Sequence, residues 1–141
     1  MEALSPAYLT SLAAQLGSLS AFLGGFAATF LGTLLASRIE GKIASLSIGF
    51  AVGSSVSFIV CVVASTALVT LLHPDAPIAA GEVAAGQARV LLALSFFLGL
   101  YALLVSLALS GWTRSRGTGL ATSVIASIGI VLVTMMVAGG G

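Results

Sequence analysis

The side chains able to carry acid–base or metal chemistry are few and stand apart. They are Glu2, Arg38, Glu40, Lys42, Asp75, Glu82, Arg89, Arg114 and Arg116, with a single histidine, His73, and a single cysteine, Cys61. No cluster among them approaches the spacing of metal ligands. His73 precedes Pro74 at the edge of an apolar run, where a lone imidazole reads as solvated structure rather than as a ligand. One cysteine permits no intrachain disulfide. Proton relays, ion-coupled transporters and voltage sensors place ionisable groups inside the bilayer, and every charge here lies outside the long apolar stretches. No enzyme activity, cofactor or metal is therefore expected. The net charge of +1 is small and scattered, and leaves no footprint for nucleic acid.

The polar chemistry that remains is hydroxyl and amide, and the first apolar stretch orders it. At about 100° per residue, Ser11, Gln15, Ser18, Phe22, Phe26, Thr29, Thr33 and Ser37 share one helix face. Beside it runs a stripe of Gly17, Ala21, Gly24, Ala28 and Gly32. Small residues at this spacing let a second membrane helix approach closely. The second stretch adds Gly49 and Gly53, four apart, followed by Ser57. Two readings follow. The hydroxyls can bond their own backbone carbonyls and simply pack. Alternatively, the first helix lines an axis in a ring of identical chains, with the small stripe touching its neighbours. A single four-helix chain is too thin to enclose a water path, so the second reading requires copies of the chain.

The elements that must position these residues are set by composition. Of 141 residues, 59% are hydrophobic and 6% charged, against about a quarter charged in globular proteins; the bilayer has to be the solvent. Charge-free stretches at 3–37, 43–72, 90–113 and 117–141 can each supply the roughly 20 apolar residues of a spanning helix. The expected fold is all-α: a polytopic membrane protein with four transmembrane helices at about 12–36, 44–72, 90–112 and 118–138, forming one domain over 1–141. Residues 1–11, which include Pro6 and Tyr8, are expected to form an interfacial turn. The segment does not read as a cleavable signal, since no basic region precedes it and no separate mature domain follows. No second domain, soluble repeat or lipidation motif is visible. The connections 37–42 and 113–119 are short, and the longest, 73–89, is expected to hold a short surface helix. Tyr8 and Trp112 suit the interfacial aromatic belt. The first and third connections carry Arg38, Lys42, Arg114 and Arg116, and the middle one has Arg89 at its far edge. The positive-inside rule then places both termini outside, in an integral protein of the cell (inner) membrane.

The segments SAFLGGFAATFLGT (20–33) and IGFAVGSSVSFIVCVVASTALVTLLHPDA (48–76) resemble the first two helices of the Orai calcium-channel family. That family's pore helix runs Ser-Ala-Leu-Leu-Ser-Gly-Phe-Ala and ends at a selectivity glutamate. Its second helix is similar through Phe50, Val52, Ser54, Ser55 and Pro74. The third helix carries Ser95, Leu98 and Gly99 and closes with Gly111, Trp112 and Arg114, much as the family closes its own with Gly-Trp and a nearby lysine. Gly129 stands where the family has a characteristic glycine. The likeness covers roughly 18–138 and suggests a small, prokaryote-like homologue. It implies a pore face of Phe22, Gly25, Phe26, Thr29 and Thr33, which meets the face found from periodicity except at Gly25. Thr33 holds the place of the selectivity glutamate, Phe26 and Thr29 match the hydrophobic gate section, and Ser18 stands near the basic section. The glutamate, the basic section, the cytoplasmic N-terminal arm and the C-terminal coupling helix of the family have no counterparts here. Ser106 and Ser127 replace an acidic residue and a proline. The family keeps its termini in the cytoplasm, opposite to the charge count.

The expected function is a homo-oligomeric channel for cations with weak calcium selectivity. Its partners are the lipid bilayer, copies of itself and a permeant cation. Gly24, Ala28, Gly32, Gly49 and Gly53 are the expected helix-packing positions. The alternative is a non-catalytic structural or accessory subunit of a larger membrane complex. A small transporter is least favoured, because no binding charge lies at mid-membrane.

Overall fold

The computed structural model describes residues 5–37, 40–73 and 81–139, the side chains of 81–83 excepted. Four helices account for nearly all of them: α1 (Pro6–Ala36), α2 (Lys42–Leu71), α3 (Gly81–Trp112) and α4 (Arg116–Gly139). Each is long and apolar enough to cross a membrane. The chain is an all-α, four-helix membrane protein.

Two helices begin earlier than their apolar runs suggest. The first starts at Pro6 rather than near residue 12. Ser5 caps it by accepting from the Tyr8 N–H at 3.3 Å, and Pro6 occupies the first turn, where its missing N–H is harmless. Residues 6–11 are thus helical and not an interfacial turn, while 1–4 lie outside the described residues. The third helix starts at Gly81 rather than near 90, so Glu82 and Arg89 ride on its first turns. Residues 81–89 continue α3 instead of forming a separate surface helix, and 74–80 lie outside the described residues. At the other end of the molecule, Gly41 enters α2 at φ 128°, a conformation that side chains rarely adopt.

The helices stand in a row. α2 and α3 share the longest seam, α1 lies on α2 and barely meets α3, and α4 touches α3 alone among the described residues. Sequence spacing explains the long seams. Ala44, Ser47, Ala51, Ser54, Phe58, Cys61, Ser65 and Leu68 are buried on α2 at alternating steps of three and four. Ala85, Ala88, Leu92, Ser95, Gly99, Ala102 and Ser106 repeat that spacing on α3. This is the heptad pattern, which keeps one face turned toward a near-parallel neighbour along its whole length.

The wedge of the bundle is Phe58, which is fully buried. A Cβ added at Gly24 of α1 would lie 3.2 Å from the Phe58 Cβ, and one at Gly99 of α3 would lie 3.1 Å from its ring. Ala27 and Leu103 complete the cluster, and Phe96 meets the ring edge-on at 6.4 Å between centroids. The turn from α3 to α4 closes against two more glycines. A Cβ at Gly119 would come within 2.7 Å of the Trp112 ring, and one at Gly111 within 2.9 Å of the Thr118 carbonyl. The Trp112 indole N–H donates to Ser123 Oγ at 2.8 Å, and Tyr101 and Thr134 share a bond of 2.9 Å. These contacts hold α4 to α3, and it buries little else.

Candidate functional site

Hydrogen bonds between helices set a common depth scale. Ser20 Oγ donates to Cys61 Sγ at 3.1 Å, and the Cys61 thiol donates to the Leu92 carbonyl at 3.6 Å, so these three residues lie level. Farther along, Ser47 Oγ donates to the Ser106 carbonyl at 3.0 Å and Ser106 Oγ returns the bond to the Ser47 carbonyl at 2.7 Å. Ser54 Oγ donates to the Gly99 carbonyl at 2.8 Å between them. Arg89 stands about one turn beyond Leu92. From Arg89 to Trp112 the helix rises about 35 Å, which accommodates a hydrocarbon slab of about 30 Å. With Arg89 at one boundary and Lys42 and Arg114 at the other, no charged residue among the described side chains lies inside the slab. Residues 6–17 of α1 then extend roughly 18 Å past the slab, together with 65–71 of α2 and 81–88 of α3. That portion packs around Ala13, Leu68, Ala85 and Ala88.

On this scale the outward face of α1 divides into three belts. Ser11, Gln15 and Ser18 lie at or beyond the Arg89 boundary. Phe22, Gly25 and Phe26 follow within the slab. Thr29 falls near its middle, with Thr33 and Ser37 toward the far side. All of them are exposed on the single chain; Phe22 is 72% and Phe26 48% accessible, so neither belongs to the chain's core. The hydroxyls bond locally: Ser18 donates to the Ala14 carbonyl at 3.0 Å, Thr29 to Gly25 at 2.9 Å, Thr33 to Thr29 at 3.0 Å and Ser37 to Thr33 at 2.7 Å.

The small stripe is divided between two surfaces. Gly17 and Gly24 face α2 inside the chain, where a Cβ would meet Ser65 and Phe58 respectively. Ala21, Ala28 and Gly32 are exposed, and a Cβ at Gly25 or Gly32 would meet nothing within 4 Å. Gly49 and Gly53 of α2 are also exposed and open, on the side away from the α2–α3 seam. An open groove of about 340 Å³ lies between α1 and α2 beside the outward face, lined by Ala21, Gly24, Gly25, Ile59, Val62 and Val63 among others.

The serine seam of α2 and α3 was not singled out by reading α1 and the Gly49–Gly53 pair. Its signal is the seven-residue repeat of Ser47, Ser54 and Cys61. Such bonds average about 0.6 kcal/mol in membrane proteins and reach about 1.7. Ser47→Ala and Ser106→Ala should each lower the melting temperature in detergent by a few degrees. Each hydroxyl donates to the other serine's backbone carbonyl, which alanine keeps, so either change leaves the other bond in place and the double variant should lose about the sum of the two. A loss well below the sum in a double-mutant cycle would show instead that the direct contact of the two hydroxyls, at 3.4 Å, carries the stabilisation.

The chain matches no family model, no curated protein and no solved structure. The functional reading therefore rests on residues and geometry.

Proposed function

We propose that this chain is the subunit of an Orai-like, homo-oligomeric membrane pore for cations with weak calcium selectivity, with α1 of each copy around the axis. The observation that carries this reading is the position of α1. It stands at one edge of the helix row, α4 stands at the other, and α1 turns its hydroxyl face away from its own chain. In a bilayer such a face is better placed against water or a neighbouring helix than against lipid tails. Ala21, Ala28 and Gly32, beside the groove between α1 and α2, offer the close approach that a neighbouring copy needs.

A second reading, the accessory subunit, is favoured by a specific observation. The α1 hydroxyls donate to their own helix, so lipid could cover them at little cost.

Size separates the two. Gly32→Leu adds a side chain in open space and leaves the single chain intact. On the pore reading it should drive most of a purified ring to smaller species on size-exclusion chromatography, while the circular dichroism spectrum stays helical. An unchanged elution volume would remove this face from the contact between copies.

A further inference from the structure

The two boundaries of the slab differ in charge. At the one where α1 and α3 end, the sequence sets Arg38, Lys42, Arg114 and Arg116 against Glu40 alone. In the sequence flanking the opposite one, Arg89 is outnumbered by Glu2, Asp75 and Glu82. Lys42, Arg114 and Arg116 are exposed, and none of them pairs with an acid among the described residues. The turn from α3 to α4 is braced. The Gly111 carbonyl accepts from the Arg114 and Ser115 N–H groups at 3.3 and 3.4 Å. Ser115 Oγ accepts the Thr118 N–H at 3.1 Å and shares a bond of 2.7 Å with Thr118 Oγ1. Arg114 and Arg116 are therefore displayed close together on a held turn, next to Trp112, which is 41% exposed. Across the seam, the bonds between Ser47 and Ser106 bring Lys42 level with Gly111, about one turn from Arg114.

We infer that this corner, the α3–α4 turn with Lys42 beside it, binds the headgroup of an anionic phospholipid in the leaflet on that side. Guanidinium forks match phosphate oxygens with parallel hydrogen bonds, and the Lys42 ammonium adds a third positive charge. The occupant is a lipid and not a free anion because of depth. The cations stand at the hydrocarbon boundary, where the bilayer gathers its phosphates. On the slab side of them, Ile43, Leu46 and Leu120 are exposed and offer apolar surface to acyl chains. Trp112 suits the same interfacial level. Each basic side chain near the membrane surface favours a net negative headgroup by about fivefold. A zwitterionic headgroup gains less, since its own cation opposes the arginines. Nothing in this contact requires a pore, so a single chain and a ring would hold the lipid alike.

Trp112 is the one tryptophan of the chain, so its fluorescence reports on this turn alone. The test places the full-length protein in phosphatidylcholine bilayers and titrates in phosphatidylglycerol or phosphatidylcholine with brominated acyl chains, which quench a neighbouring indole. Quenching against lipid fraction gives the relative binding constant at the turn. Phosphatidylglycerol should be preferred by about fivefold or more at low salt, and less at high salt, where exposed charges are screened. Arg114→Gln with Arg116→Gln should bring the ratio close to one, while Arg89→Gln at the opposite boundary leaves it unchanged. All three side chains are exposed, so the circular dichroism spectrum should stay helical in every variant. A ratio near one in the wild type overturns the site, and so does quenching by neither lipid. A preference that survives the paired arginine change, or that Arg89→Gln removes equally, overturns it by assigning the effect to other groups or to net charge. Glycerol 3-phosphate that abolishes the preference at millimolar concentration overturns it too, by making a soluble phosphate the ligand.

Discussion

Phe58→Ala should destabilise the protein more than any other single truncation. The ring touches three helices at once, being seated on Gly99 and Leu103 of α3 and bordered by Gly24 and Ala27 of α1. In a bilayer the apolar effect between helices is weak, and close van der Waals packing does most of the holding. Removing a fully buried phenyl ring forfeits those contacts on every side. On the sides of Gly24 and Gly99 there is no side chain to fill the space. Phe-to-Ala changes in cores cost about 3–5 kcal/mol. For a chain of this size, that corresponds to a fall in melting temperature of roughly 10–20 °C. Thermal unfolding in detergent, followed by circular dichroism, measures it. Ile59→Ala is the control: it is the next residue on α2, 62% exposed, and should change little. Equal melting temperatures for the two variants would show that the three helices do not meet on Phe58.

Composition was sufficient to read four apolar helices, because a chain with so few charges has one way to satisfy its backbone in lipid. The helix ends were harder to read. A charge ends a hydrophobic run but does not end a helix, so Glu82 and Arg89 concealed two turns of α3. Ser5 and Pro6 form a helix start that hydropathy does not detect. The outward face of α1 was visible from periodicity, since hydroxyls at helical spacing stand out against leucine and alanine. What periodicity could not settle was which small residues serve the chain itself. Gly24 and Gly32 read alike in sequence, yet one faces Phe58 and the other faces open space. That difference depends on how far α2 is rotated about α1, which is a property of both helices together. The serine seam was within reach through the seven-residue repeat on α2. It is a polar signal in a segment where glycine spacing draws attention first.

The same open surface makes the second large effect one of function and not of folding. Phe22 and Phe26 are exposed on the single chain and are not among its buried core residues, so changing them should leave the fold intact. In a ring they form a phenyl constriction just inside one boundary of the slab, which can close by dewetting. Phe26→Ser replaces apolar surface with a hydroxyl and should let water occupy the constriction at rest. Resting ion flux into proteoliposomes is expected to rise at least about tenfold, the change that about 1.4 kcal/mol of barrier confers. Thr33→Glu acts nearer the opposite mouth. Its carboxylates would form a ring of hard oxygen ligands where only neutral hydroxyls now stand. Divalent cations should then bind there, either passing selectively or blocking monovalent flux, whereas they have little effect on the wild type. The two variants probe different belts, so Phe26→Ser should raise flux without divalent sensitivity, and combining them should give a leak that calcium blocks. Should both leave flux unchanged while the protein remains a ring of folded subunits, α1 is a packing helix, and the chain is an accessory subunit whose hydroxyls serve only their own backbone.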